Sequence, residues 1–200
     1  METSALRHAV RRTVIHALFG CAVTAALLLS SRLATVAGLG ALAAFAVCVE
    51  VVRFCVPSAN NWLFARLASL LRGEEKRRPS GATYLVMACL VTALAFQRDI
   101  AAAAMLFVSL GDPAATLIGI WQGRVRVGGR SILGNVTCLV VCLACAALLA
   151  YSLDGLSLTV ALVGAISASV FQAIPLRLND NVIIPVGSAV VMTVMVLAAS

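Results

Sequence analysis

Ile100-Ala-Ala-Ala-Ala-Met-Leu-Phe-Val-Ser-Leu-Gly-Asp-Pro-Ala-Ala-Thr-Leu-Ile-Gly-Ile-Trp121 is long and apolar enough to cross a bilayer, yet it carries one acid, Asp112, near its middle. An ionisable group at that depth is expensive, so its default reading is functional. Gly111 and Pro113 flank it, weaken the helix and predict a break that frees backbone groups. Counted along the helix axis, Asp112 lies about 18 Å from the start of the segment. A structural contact between helices is the plain alternative for this acid, and the interruption beside it favours function.

The rest of the chain agrees with a membrane setting. It has 200 residues, of which 62% are hydrophobic and 12% charged, with mean hydropathy +1.05. A soluble domain averages about 45–50% apolar and about 25% charged. The net charge of +7 therefore reads as loops facing anionic lipid and phosphate groups rather than as a nucleic-acid surface. The seven cysteines lie mostly in apolar segments and read as small buried hydrophobes. Cys138, Cys142 and Cys145 share a helical face, but no His lies nearby in sequence to complete a metal site, so packing is favoured. The first apolar run lacks a clear cleavage site and does not read as a cleaved signal.

Seven apolar segments are candidates to span: Val14–Ser31, Leu33–Val52, Ala82–Gln97, Ile100–Trp121, Val136–Tyr151, Leu156–Ile174 and Val182–Ala199. The expected fold is an all-α polytopic membrane protein forming one domain over residues 1–200. With the N-terminus in the cytoplasm, 13 of the 15 Lys and Arg residues, Arg177 among them, fall on the cytoplasmic side. Only Arg32 and Arg98 fall outside. Two cytoplasmic connections have patterns of their own. Residues 57–72 predict an amphipathic helix, lying in the interface or packed on the bundle, with Leu63, Leu67, Leu70 and Leu71 on one face. Gly128-Gly129, between two Val/Arg stretches, predicts a small β-hairpin.

Three polar stretches carry the chemistry. The first, Arg72-Gly-Glu-Glu-Lys76 through Ser80-Gly81, offers Arg72 and Lys76 to phosphate, and Ser80-Gly81 begins a helix whose amides attract anions. A solvated charge run is the plain alternative. The second is Gly111-Asp112-Pro113 with the following loop, Gly123-Arg-Val-Arg-Val-Gly-Gly-Arg-Ser131. Gly128 and Gly129 let backbone amides approach phosphate, while Arg130 and Ser131 add charge and a hydroxyl. The spacing and the missing Lys exclude a Walker A loop. The third is Asn179-Asp180-Asn181, an ordinary helix cap or a source of a second carboxylate. Mg²⁺ is typically held by one or two carboxylates plus substrate phosphates, and Asp112 with Asp180 fit that pattern if their helices meet. Glu50 and Arg53, a turn apart, are expected to pair.

Four motifs in order resemble the CTP-dependent lipid alcohol kinases, a family that includes dolichol, phytol and CTP-dependent diacylglycerol kinases. They are Arg12 with His16; Arg72-x-x-Glu75 with Ser80-Gly-Ala-Thr-Tyr84; Gly111-Asp112-Pro113-Ala-Ala115 with Gly119, Gly123 and Gly129-Arg130-Ser131-x-x-Gly134; and Asn179-Asp180-Asn181 with Ile184-Pro185. The resemblance runs from about Arg11 to Pro185. Thr13 and Arg130 stand where family members usually carry Lys, and Leu133 stands at a position often acidic. The resemblance implies transfer of a γ-phosphoryl group from CTP, with a divalent cation, to a lipid hydroxyl such as that of diacylglycerol or a polyprenol. It implies that Asp112 binds Mg²⁺ or orients the hydroxyl and that Asp180 helps hold the metal. Arg72, Lys76 and Arg130 would neutralise phosphates, Gly128, Gly129 and Ser131 would cradle them, and Glu75 would orient a basic neighbour. A CTP-using cytidylyltransferase and a small ion or anion transporter are the competing expectations.

Overall fold

Pro113 sets how the central segment is built. It has no N–H, and its ring crowds the carbonyl one turn back, so an ordinary α-helix running through it is costly. The computed structural model, which describes residues 2–199 except Ser69, Leu176 and Arg177 and side chains from Arg7 onward, shows the outcome. Helix α5 (Arg98–Leu106) passes into a π-helical turn at Phe107–Gly111, and α6 (Asp112–Trp121) follows with Pro113 in its first turn. Leu106, Phe107, Gly111 and Asp112 all keep right-handed helical dihedrals. The expected break is therefore a widening: Arg98–Trp121 runs as one 24-residue helical rod. Wider turns of this kind are rare and frequent at functional sites.

This rod is the centre of the bundle. Ile100–Met105, Phe107 and Val108 are fully buried or nearly so, and the four alanines let neighbouring helices come close. Around it lie α1 (Glu2–Leu29), α2 (Arg32–Cys55), α4 (Gly81–Ala95), α7 (Ile132–Ser152), α8 (Leu158–Ala173) and α9 (Asp180–Ala199), while α3 (Pro57–Arg66) is a short helix beside α2. Each of the seven apolar segments coincides with helix. Five runs are long and apolar enough to cross a membrane, while α4 and α8 are shorter. Leu18, Phe45 and Val194 are among the large apolar side chains left exposed on the long helices, as expected for surfaces that face lipid.

Caps explain most of the boundaries. Ser31, Ser80, Ser131 and Ser157 each accept a backbone N–H from their helix's first turn, and Asn179 Oδ1 accepts that of Asn181 at 3.0 Å. The cap at Ser131 starts α7 four residues before the apolar run begins. The hairpin forms as expected: β1 (Arg126–Val127) pairs antiparallel with β2 (Arg130–Ser131). Gly128 and Gly129, at φ +58° and +83°, supply the left-handed conformations of the turn. The amphipathic stretch is shorter than its leucine pattern suggests. Its helix ends at Arg66, and Leu67, Leu70 and Leu71 lie beyond it. Ser69 and Arg177, used in the sequence reading, lie outside the described residues. Cys138, Cys142 and Cys145 are buried, whereas Cys48 and Cys55 are exposed.

Glu50 and Arg53 pair at 2.6 Å in the interior and organise the segment before α4. Glu50 Oε1 accepts the Ser80 N–H and the Thr83 hydroxyl, both at 2.8 Å. Arg53 donates to the Arg78 carbonyl at 2.5 Å and lies over the Phe54 and Phe64 rings. Glu50→Ala strands a buried guanidinium, so it is expected to cost about 3–5 kcal/mol of stability, read by thermal unfolding in detergent.

Candidate functional site

The ends of the helices nearest the hairpin enclose a cavity of about 960 Å³, which reaches down to Asp112. Asp112 lies within electrostatic range of Asp180, Arg130, Arg72 and Arg12. It reaches this wall because the π turn adds a residue just before it. Arg130 leaves the hairpin's second strand and donates to Asp180 Oδ1 at 2.7 Å, joining the glycine loop to the start of α9. Helix α9 in turn packs on α5 and the π turn, so the segments carrying the two aspartates do meet.

Most residues singled out in the sequence line this one cavity. Arg72, Glu75, Ser80 and Gly81 come from the loop before α4 and from its first residue. Gly129 and Ser131 come from the hairpin, and Asn179 from the cap of α9. Arg12 and His16 contribute from α1. Four positions do not line it. Lys76 is exposed elsewhere on its turn. Gly111 is a close-packing position, where an added Cβ would meet Cys142 Sγ at 2.6 Å. Gly123 has the same role, against the Gly119 carbonyl and Ser131, and Gly128 faces Pro175. Of the loop glycines, Gly129 alone has open space beside it.

Glu75 has a structural role as well: its carboxylate accepts the backbone N–H groups of Arg72 and Gly81, each at 2.9 Å, and it lies within electrostatic range of Arg12. Three amides at the start of α4 already have side-chain partners. Gly81 N–H is taken by Glu75, Thr83 N–H by Ser80 and Ser80 N–H by Glu50. Carboxylates and a hydroxyl already occupy the positive end of that helix, which is where they are most stable.

Other polar lining residues include Arg126, in the glycine loop, and Asn135 and Gln172, which the sequence motifs do not contain. Asn135 lies one helical turn after Ser131, and Gln172 is the lone amide of an apolar helix, a signal of the same kind as Asp112. His16 Nε2, Asn135 Oδ1 and Gln172 Oε1 are buried without a hydrogen-bond partner among the described residues. An unpaired buried polar atom costs about 1–3 kcal/mol, which a molecule bound in the cavity could recover. Among the described residues, no three His, Cys, Asp or Glu side chains are grouped to cage a metal ion. Any divalent cation here would need ligand oxygens from a substrate as well as from Asp112 or Asp180.

The lining also includes apolar side chains: Ile15, Phe19 and Leu42 from α1 and α2, together with Leu67, Leu70 and Leu71 from the segment after α3. Charged and aliphatic side chains thus line one cavity.

No family model matches the chain, and no solved structure matches it. The chain is similar to an uncharacterized protein of Rickettsia prowazekii, with 27% identity over 126 residues. The match covers 61% of this chain and 61% of that protein, so the chain spans about three fifths of its relative's length.

The packing of α6 on α7 can be tested separately from any ligand. A Cβ at Gly134 would sit 2.7 Å from the Ala115 carbonyl oxygen, a backbone atom that cannot swing aside. Gly134→Ala is expected to lower stability by about 1–3 kcal/mol, measured as a shift of the thermal unfolding midpoint.

Proposed function

We propose that this chain is a multi-pass membrane enzyme that transfers the γ-phosphoryl group of CTP to the hydroxyl of a lipid alcohol, diacylglycerol or a polyprenol. In this reading the N-terminus is cytoplasmic, all seven apolar segments span, and the cavity opens to the cytoplasm. The observation that carries the reading is the mixed lining of the cavity, in which arginines and carboxylates share one space with aliphatic side chains. A transporter for a small ion has no use for the aliphatic side chains, and a soluble-substrate kinase has no use for the cavity's position at the end of an apolar bundle.

The charges of the lining refine the reading. Among the described residues Arg12, Arg72, Arg126 and Arg130 stand against Glu74, Glu75, Asp112 and Asp180, so the lining is formally balanced. A triphosphate entering such a site needs added positive charge, and Mg²⁺ would supply it while polarising the transferred phosphoryl group. Asp112 and Asp180 would hold the cation from the protein side. Arg130, steadied by Asp180, and Arg72 at the mouth would pair phosphate oxygens, with Arg in place of Lys favouring bidentate contact. Ser131 is taken up in capping α7, and Glu75 shapes the backbone around Arg72.

Purified protein supplied with γ-labelled CTP and mixed lipid alcohols should form labelled lipid and CDP. Asp112→Asn should reduce this by about 100-fold or more, the scale seen when one preorganised electrostatic group is lost from an active site. Undiminished transfer in that variant would overturn the assignment, and release of pyrophosphate would identify a cytidylyltransferase instead. Chelation of divalent cations is expected to abolish turnover, with recovery on adding Mg²⁺, read in the same assay.

A further inference from the structure

Helices α1 and α2 are sequence neighbours joined by two residues, yet they scarcely pack along their length. Helix α2 rests on α4 and α3, and α1 rests on α5 and α6. The turn that joins the pair is fastened by side chains. Arg98 donates to the carbonyls of Leu27, Leu28 and Ser30 at the end of α1. Arg32, the first residue of α2, donates to the Ala93 and Leu94 carbonyls of α4 at 3.1 and 2.8 Å. Ser30 Oγ and Thr35 Oγ1 close the turn at 2.9 Å.

Both helices line the cavity, α1 with Ile15 and α2 with Leu42, and these two apolar side chains are 51% and 38% exposed. Gly38, one turn before Leu42, has open space around it. Phe19 lies deeper, partly buried against the core, and Leu67, Leu70 and Leu71 close the route from the loop side. Ile15, Phe19 and Leu42 are apolar, and Arg12 and His16 of α1 line the same cavity. A polar solute gains nothing from the three apolar side chains, whereas an alkyl chain leaving the bilayer core stays in apolar surroundings beside them.

We propose that the α1–α2 gap is a lateral portal and chain-binding channel, through which the hydrocarbon chain of a single lipid enters from the bilayer and lies against Ile15, Phe19 and Leu42 while its polar end reaches the Asp112 wall. This rests on the proposed lipid substrate for the nature of the occupant, but the route itself follows from the packing. Bulk at Leu42 would narrow the channel.

Photolabelling tests the portal without any catalytic step. Protein in nanodiscs is mixed with a long-chain lipid alcohol bearing a diazirine in its chain, or with phosphatidylcholine bearing the same group, and the labelled peptides are mapped by mass spectrometry. The alcohol should label residues 12–19 and 38–45 in excess over the phosphatidylcholine probe. Leu42→Trp should cut that excess by about tenfold, equivalent to about 1.4 kcal/mol of binding, whereas Phe45→Trp, on an exposed position outside the cavity lining, should leave it unchanged. An alcohol label spread like the phosphatidylcholine label, or concentrated on other helices of the wild-type protein, would overturn the portal. Concentrated label without phosphoryl transfer keeps the portal and removes the kinase reading. Transfer with the label elsewhere does the reverse.

Discussion

A backbone carbonyl or N–H buried in an apolar interior must find a partner, and this fold is arranged around one place where that rule is strained. The most buried helix contains a proline. The π turn at Phe107–Gly111 answers by widening the helix just before Pro113, and α1 packs against that turn. The arrangement holds only if α1 stays against the rod, which gives the bundle a fixed centre from which the other helices are hung.

The electrostatics of the cavity follow from where charges are already satisfied. Glu50, Glu75 and Asp180 each have fixed partners: an interior arginine, two backbone amides and Arg130. These acids hold the shape of the site. Asp112, set in the deepest wall, differs because its neighbours act on it at longer range. The division between carboxylates that build and a carboxylate that faces the space is what makes Asp112 the centre of the chemical reading. Charge counting alone would have treated all of them alike.

Much of this was legible in the sequence because the signals were large. Apolar segments and the Gly128-Gly129 turn are read from period and conformation, and Asp112 from its depth. The residues that converge on one cavity come from stretches that composition already set apart. What the sequence concealed depended on geometry of about an ångström. Nothing in Gly123 or Gly111 distinguishes a phosphate cradle from a close helix contact until the facing atoms are known. The leucines after α3 have helical spacing, but the helix stops at Arg66, and they turn to line the cavity instead. Glu75 looked like a partner for its basic neighbours, yet two amides lie nearer. Asn135 and Gln172 were visible as isolated polar residues in apolar helices, and the rule applied to Asp112 would have found them.

The π turn is equivalent to one residue inserted into a continuous α-helix. Each residue advances the helix by about 100°, so the turn sets the angular phase of everything after it. Asp112 and the hairpin beyond Trp121 are aimed at the cavity by that phase, while Ile100–Met105 keep the packing of the segment before it. The rod is therefore two helices in different registers on one axis, and its central widening is the seam at which a helix built for packing becomes one built to carry a site.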